Sequence, residues 1–284
     1  MFVAGCLLSR FLSMKYGYPQ QMENPSVDDV EYDGLQGRVY ASPGAGPAEA
    51  RDRAAAFVLL HGIGASHRYL ARLHRELAAT APTYSIDLPG FGGTARPDVP
   101  LTVAAYAAFV SKVLESLSVR SCVLIGHSMG AQFAVELAVI SPALASHLVL
   151  IGPVVDPQHP TVREQALALG LDSLRERPSA NAIILTDYVR CGWRWYMTEL
   201  PVMMDYPIHE RIGLVAAPVL VLRGSRDPVA PLPWCQLLQR QAPKGRLVQI
   251  PGQAHIAQHS KPAAVAREIL SFVEDPAIAR KRDQ

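Results

Sequence analysis

The chain has 284 residues, of which 49% are hydrophobic and 18% are charged, and this composition excludes a disordered chain. Lys and Arg total 27 against 25 Asp and Glu, a net charge of +2, so neither a nucleic acid nor an anionic membrane is a predicted partner. No apolar run approaches the roughly 20 residues that a membrane-spanning helix needs. We therefore expect a soluble, globular protein, without stable membrane insertion, that acts on a small molecule.

The cysteines and the N-terminus indicate a cytoplasmic location. Cys6, Cys122, Cys191 and Cys235 are too far apart in sequence for a zinc site or a redox dithiol, which favours free thiols in a reducing cytoplasm. The N-terminal sequence VAGC resembles a lipoprotein cleavage box, but only two residues precede it, so we predict no export signal. An apolar stripe over residues 2–12 favours a short helix.

Short apolar runs of strand length recur along the chain. A hairpin is predicted over residues 27–40, with Gly34 and Gly37 marking its turn, and a loop over 41–53. The runs that follow predict strands buried on both faces, at 56–60, 83–86, 121–125, 148–151, 218–222 and 246–250. Apolar residues at helical spacing predict helices at 69–79, 103–117, 130–139, 234–241 and 262–273. This alternation predicts a mostly parallel sheet with helices on both sides and ligands beyond the carboxyl ends of the strands.

One long segment breaks the alternation. Residues 153–213 contain helical stretches and many prolines but no clear buried strand. We interpret them as a helical cap inserted into a core domain of residues 1–152 and 214–284. The candidates for an apolar substrate pocket are large side chains of this cap: Trp193, Trp195, Tyr196, Met197, Met203 and Met204. Packing of the cap onto the core is the alternative explanation for these residues.

The strongest local signal is the sequence Gly126-His127-Ser128-Met129-Gly130. It has the form G-x-S-x-G and lies between a predicted strand and a predicted helix, where a sharp turn exposes the serine hydroxyl above the sheet. A serine hydroxyl becomes a good nucleophile only when a histidine accepts its proton and a carboxylate orients that histidine. Ser128 is therefore the predicted nucleophile.

The candidate base and acid each lie just after a predicted strand. His255 and Asp227 follow two different strands, and the sheet topology predicts that both loops lie beside Ser128. Asp156, which follows another strand, is the rival acid. His259 lies four residues after His255, but no third metal ligand is evident, so we predict neither a metal nor a cofactor.

The turn His61-Gly62-Ile63-Gly64 follows the predicted strand 56–60. Attack on a carbonyl group places negative charge on its oxygen, which backbone N–H donors stabilise. The N–H groups of Ile63 and Met129 are the candidate donors of this oxyanion hole. His61 and His127 are interpreted as residues that shape and pack these turns.

Taken together, these motifs resemble the α/β-hydrolase superfamily. The resemblance spans residues 27–273 and rests on the serine turn, the His61 turn and three further sequences: Asp87-Leu88-Pro89-Gly90-Phe91-Gly92, Gly224-Ser225-Arg226-Asp227 and Gly252-Gln253-Ala254-His255. It implies an α/β fold with a mostly parallel eight-stranded sheet, often a helical cap, and a catalytic triad of Ser128, Asp227 and His255. Asp87 matches a turn of the family that is structural.

The resemblance implies acyl transfer at a carbonyl group. We expect a serine hydrolase that cleaves a small or medium carboxylic ester or thioester through an acyl-enzyme, because serine rather than aspartate at the turn disfavours dehalogenases and epoxide hydrolases. A C–C bond hydrolase of the diketone type is an alternative, with Arg190 or Arg194 binding a substrate carboxylate, although Ile256 stands where that branch commonly has tryptophan. A small-molecule receptor on the same fold is the alternative from another class. The acyl and alcohol groups and the oligomeric state, monomer or homodimer, stay open.

Overall fold

The computed structural model describes residues 24–44, 55–158 and 161–276. The apolar stripe at residues 2–12 lies outside these residues, as does most of the predicted loop 41–53. In the described part of the chain the strands are β1 (Ser26–Tyr32), β2 (Leu35–Ser42), β3 (Ala56–Leu60), β4 (Thr83–Asp87), β5 (Cys122–His127), β6 (Ala145–Ile151), β7 (Val219–Gly224) and β8 (Gly245–Ile250). The α-helices there are α1 (Ala71–Ala78), α2 (Val103–Ser116), α3 (Gly130–Ile140), α4 (Val162–Ser173), α5 (Pro178–Cys191), α6 (Trp193–Asp205), α7 (Ile208–Arg211), α8 (Leu232–Gln241), α9 (Ala257–Ser260) and α10 (Pro262–Val273).

The eight strands form one sheet in the order β1-β2-β4-β3-β5-β6-β7-β8. β1 pairs antiparallel with β2, β2 pairs antiparallel with β4, and all later neighbours are parallel. This arrangement confirms the predicted mostly parallel, eight-stranded sheet. The strands β3, β5, β6, β7 and β8 therefore all end at the same edge of the sheet, where a site can be assembled from several loops.

Two apolar cores explain the continuous apolar runs of the central strands. Successive side chains of a strand point to opposite faces, so Val58 and Leu60 enter one core whereas Phe57 and Leu59 enter the other. Helices α2, α3 and α8 cover the first core, and α1 and α10 cover the second. β8 differs from the prediction of strands buried on both faces, because it lies at the edge of the sheet and is only partly buried.

The hairpin at the start of the sheet has a tighter turn than predicted. Asp33 and Gly34 connect β1 to β2, and both have positive φ, 54° and 77°, as a two-residue hairpin turn requires. Gly37 is not part of the turn. It pairs with Val30 inside the sheet, and a Cβ atom at this position would lie 2.6 Å from the Phe109 ring, so glycine is needed there for close packing.

Helices α4 to α7 occupy the segment between β6 and β7 that the sequence analysis interprets as a cap. α4 begins with a capping box, in which the Thr161 hydroxyl accepts the Glu164 N–H and the Glu164 carboxylate accepts the Thr161 N–H. α5 begins with Pro178 in its first turn, where a missing N–H costs nothing. Among the helices of the described residues, none is both long enough and apolar enough to span a bilayer.

Candidate active site

Ser128 lies on a strained turn between β5 and α3. Its φ is +57°, in the left-handed region that non-glycine residues rarely adopt. A Cβ atom at Gly126 would collide with the carbonyl oxygen of Gly130, and one at Gly130 would collide with that of Leu60. The Ser128 N–H also donates to the carbonyl oxygen of Ile151 at 3.0 Å. These close approaches hold the serine at the carboxyl edge of the sheet.

Asp227 and His255 form a buried pair at the same edge. His255 Nδ1 lies 2.9 Å from Asp227 Oδ2, and the other carboxylate oxygen accepts the N–H groups of Val229 and Ala230 at 2.8 and 3.0 Å. An ionised carboxylate only accepts hydrogen bonds, so Nδ1 donates and Nε2 of the neutral ring is left as an acceptor. Asp156 makes no such pair; its carboxylate accepts the N–H of Gln158 instead.

Burial and pairing act in opposite directions on these two groups. Burial lowers the pKa of His255, but the adjacent Asp227 carboxylate outweighs it, so the pKa of His255 is raised above that of free histidine. Burial raises the pKa of Asp227, but the imidazolium and three hydrogen bonds outweigh it, so the pKa of Asp227 is lowered. The pair therefore favours the imidazolium–carboxylate form.

Ser128 and His255 line one cavity of about 190 Å³. In the described part of the chain neither Ser128 Oγ nor His255 Nε2 has a hydrogen-bond partner, so the bond that proton transfer between them requires is not formed in this structure. Gly62 faces the serine, since a Cβ atom there would lie 2.9 Å from Ser128 Cβ. The N–H groups of Ile63 and Met129 donate no hydrogen bond to any described residue. Two unused donors thus flank the serine.

A buried hydrogen-bond chain joins the turns that carry these groups. The Gly62 N–H donates to the Tyr69 hydroxyl at 2.9 Å, and that hydroxyl lies 2.8 Å from His127 Nδ1. His127 Nε2 lies 3.1 Å from the carbonyl oxygen of His255, which can only accept. The His127 ring is therefore protonated at Nε2 and accepts from Tyr69 at Nδ1. Burial lowers the pKa of His127 well below its usual value, which keeps the ring neutral.

The His61 ring makes a similar structural connection. Its Nε2 accepts the Leu88 N–H at 3.1 Å, and its Nδ1 lies 2.9 Å from the Gly62 carbonyl oxygen. Asp87 is also structural, since its two oxygens contact the N–H and Nδ1 of His67 at 2.5 and 2.9 Å. The side chains of His61, Asp87 and His67 do not line the cavity.

Tyr69→Phe tests the buried chain. We expect the free energy of unfolding to fall by about 1–3 kcal/mol, because the buried Gly62 N–H and His127 Nδ1 both lose their partner. Tyr84→Phe is the matched control: it removes the same hydroxyl from a half-buried tyrosine of β4 that makes no hydrogen bond within the described residues. Denaturant titration measures both variants, and an equal, small effect would contradict the role given to Tyr69.

The cavity is lined by other residues of the segment 153–213 than those predicted. Trp193 is 73% exposed and Met197 is 38% exposed. Trp195 is buried, but its ring packs against Phe91, with 6.4 Å between the ring centroids. Tyr196 packs edge-on against a tyrosine of α5. The prediction chose large apolar side chains by type alone, whereas α6 turns most of them toward the core or the solvent.

The observed lining comes mainly from α4, α5 and the ends of the strands. Its apolar part includes Ile63, Val154, Leu169, Ile184, Met203 and Val229. Its polar part includes Gln165, Asp172, Ser173, Asn181 and Tyr188. Of the six candidates from the segment 153–213, Met203 alone lines the cavity.

Neither lysine nor arginine lines this cavity in the described part of the chain. Arg190 and Arg194 are both exposed and lie outside it.

His259 Nε2 lies 3.4 Å from the Ser179 hydroxyl, and no cluster of three or more His, Cys, Asp or Glu residues suited to a metal occurs among the described residues.

Two acidic residues near the site were missed by the sequence analysis. Asp172 Oδ1 accepts the His255 N–H at 2.8 Å, and Glu176 Oε1 accepts the Ile256 N–H at 2.6 Å. Both carboxylates are buried. They reach the histidine loop from α4 and the turn after it, so contacts made by the segment between β6 and β7 help to position His255.

Comparison with known proteins points to one family. The profile described as the alpha/beta hydrolase family matches residues 57–268. Esterase YbfF of Escherichia coli (strain K12) is 26% identical over 240 residues, covering 77% of this chain and 92% of that protein. The sn-1-specific diacylglycerol lipase ABHD11 of Xenopus laevis is 25% identical over 280 residues, covering 87% of this chain and 85% of that protein.

Solved structures share the fold. The enol-lactonase from Burkholderia xenovorans LB400 superposes with a TM-score of 0.73 at 18% identity, covering 87% of this chain and 100% of that one. Est816, an N-acyl homoserine lactone degrading enzyme, gives a TM-score of 0.73 at 22% identity, with 86% and 100% covered. At these identities the likeness concerns the fold alone.

Proposed function

The chain belongs to the alpha/beta hydrolase family, and on that premise we propose that it is a serine hydrolase that cleaves a small or medium carboxylic ester or thioester. One observation carries the proposal: His255, which is paired with the buried Asp227, lines the same cavity as Ser128, and Ser128 is held on a strained turn. The relatives named as an esterase and a lipase support the choice of an ester bond.

The first half of the reaction forms an acyl-enzyme. His255 Nε2 accepts the Ser128 proton while Oγ attacks the substrate carbonyl carbon. The N–H groups of Ile63 and Met129 donate to the oxygen that becomes negative. When the tetrahedral intermediate collapses, the bond to the alcohol or thiol breaks, and the imidazolium gives its proton to that leaving group.

The second half releases the acid. His255 Nε2 accepts a proton from water, whose oxygen attacks the acyl carbonyl carbon. The bond to Ser128 Oγ then breaks, and His255 returns the proton to that oxygen. Asp227 stays ionised throughout and stabilises the imidazolium that forms twice in each cycle.

The cavity bears on the substrate and on the alternative reaction. Its volume of about 190 Å³ lies below the roughly 300 Å³ at which pockets for drug-sized ligands begin, which favours a small acyl or alcohol group. In the C–C hydrolase alternative, Arg190 and Arg194 are the candidates for binding a substrate carboxylate, and neither of them lines the cavity. Ester or thioester cleavage is therefore the function that the site supports best.

A cytoplasmic location stays a prediction. The cysteines among the described residues, Cys122, Cys191 and Cys235, are buried free thiols, as a reducing compartment allows.

Labelling with a fluorophosphonate tests the proposal. This reagent phosphonylates a serine only when a base activates the hydroxyl. We expect peptide mapping to find the label on Ser128 in the wild type, none in Ser128→Ala, and strongly reduced labelling in His255→Ala. Circular dichroism checks that each variant is folded. A folded wild type that takes no label would contradict the hydrolase proposal and favour the small-molecule receptor.

A further inference from the structure

Asp172 places a carboxylate inside the cavity that holds Ser128 and His255. The residue is 4% exposed and lies on α4. One of its oxygens, Oδ1, is used by the His255 N–H at 2.8 Å. Its other oxygen, Oδ2, accepts no hydrogen bond from any described residue. Oδ2 is not one of the fully buried side-chain atoms without a partner, so part of its surface is accessible. Because Asp172 lines the cavity, this oxygen is available to a bound molecule.

Asp172 has no lysine or arginine to neutralise it among the described residues that line the cavity. Of the described residues that line the cavity, Asp172 is the only acid, and none is lysine or arginine. The His127 ring is held neutral, and His255 is paired with Asp227, which offsets its charge. A negative charge in such a site repels an anion at close range and lowers the affinity for it by about 10- to 100-fold.

We propose that Asp172 is a specificity-determining residue. Its free carboxylate oxygen accepts a hydrogen bond from a hydroxyl, amide N–H or ammonium group of the substrate, and its negative charge disfavours esters that carry a carboxylate. The inference rests on the proposed ester hydrolysis and names its substrate class: small neutral or cationic esters with a hydrogen-bond donor. A buried acceptor left without a donor costs binding free energy, so this preference has a physical basis independent of size.

Asp172→Asn tests the inference with matched substrates. The alcohol-side series is the acetates of butanol, butane-1,4-diol and 4-hydroxybutanoic acid; the acyl-side pair is ethyl butanoate and monoethyl succinate. Assays at pH 8 keep Asp172 ionised, since burial raises its pKa to about 6, against the opposing effect of His255. The measured quantity is the ratio of kcat/KM for the neutral ester to that for the anionic ester. We expect this ratio to fall by about 10- to 100-fold in Asp172→Asn, in at least one series.

Glu176→Gln is the matched control. Glu176 Oε1 accepts the Ile256 N–H as Asp172 accepts the His255 N–H, but Glu176 does not line the cavity. A purely structural role in holding the histidine loop would change total activity in either variant without changing the ratio. We expect Glu176→Gln to leave the ratio within about twofold of the wild type. A constant ratio in Asp172→Asn, or an equal change in Glu176→Gln, would overturn the inference.

A binding experiment separates this inference from the proposed function. In the Ser128→Ala background, NMR titration gives the Kd of butyl acetate and of 4-acetoxybutanoate with and without Asp172→Asn. We expect the preference for the neutral ester to shrink about 10-fold or more when Asp172 is replaced. If the wild type hydrolyses no ester but this shift is found, the proposed function fails and the assignment of Asp172 stands. Turnover through Ser128 with no shift would refute the Asp172 assignment alone.

Discussion

Replacing Ser128 by alanine is expected to lower kcat for a small ester by about 10⁶-fold, because the proposed acyl-enzyme forms on the hydroxyl of this serine. The backbone donors of Ile63 and Met129 remain, so a residual acceleration of about 10³-fold over water is expected. Steady-state hydrolysis of butyl acetate, followed by chromatography, measures the loss.

The fold of Ser128→Ala should be intact. Alanine has a Cβ atom as serine does, so the strain of a positive φ at this turn is unchanged. Ser111→Ala, on the outer helix α2, is the control for removing a serine hydroxyl away from the cavity, and we expect its kcat to match the wild type. If Ser128→Ala kept more than about 1% of wild-type kcat with the fold unchanged, another residue would have to be the nucleophile.

The strands could be predicted from the sequence because each face of the central sheet has its own apolar core. Every residue of a strand such as β3 must then be apolar, which produces a run that is visible without tertiary information. The positions of Ser128, Asp227 and His255 at one edge of the sheet could be predicted for a related reason. Parallel strands end at one edge, so a reactive side chain just after each strand is placed near the others by topology alone.

The lining of the cavity could not be predicted in the same way. Asp172 and Glu176 contact residues that lie 83 and 80 positions later in the chain, and helical spacing says nothing about such contacts. Trp193 looked like a pocket residue by type, yet its position on α6 leaves it exposed. Side-chain identity indicates that a residue can line a pocket, but the packing of helices α4 to α6 against the sheet decides which residues do.

Replacing Asp227 by asparagine is expected to lower the plateau of kcat/KM by about 10⁴-fold and to move its acid limb to lower pH. The plateau falls because an amide no longer holds the proton on His255 Nδ1, which leaves Nε2 less available as a base. The limb moves because the reaction needs neutral His255, and the Asp227 carboxylate raises the pKa of that ring. Without the carboxylate, the imidazole loses its proton at a lower pH.

Profiles of kcat/KM from pH 5 to 10 measure both effects. In the wild type, activity should rise with pH through a His255 pKa above that of free histidine; in Asp227→Asn, the rise should come earlier and end at a far lower plateau. Asp156→Asn is the control, because its carboxylate accepts the Gln158 N–H and does not pair with His255. We expect this control to keep both the plateau and the limb of the wild type. Loss of activity in Asp156→Asn with a normal profile in Asp227→Asn would instead assign the acid to Asp156, and His255 would then have to change its partner during catalysis.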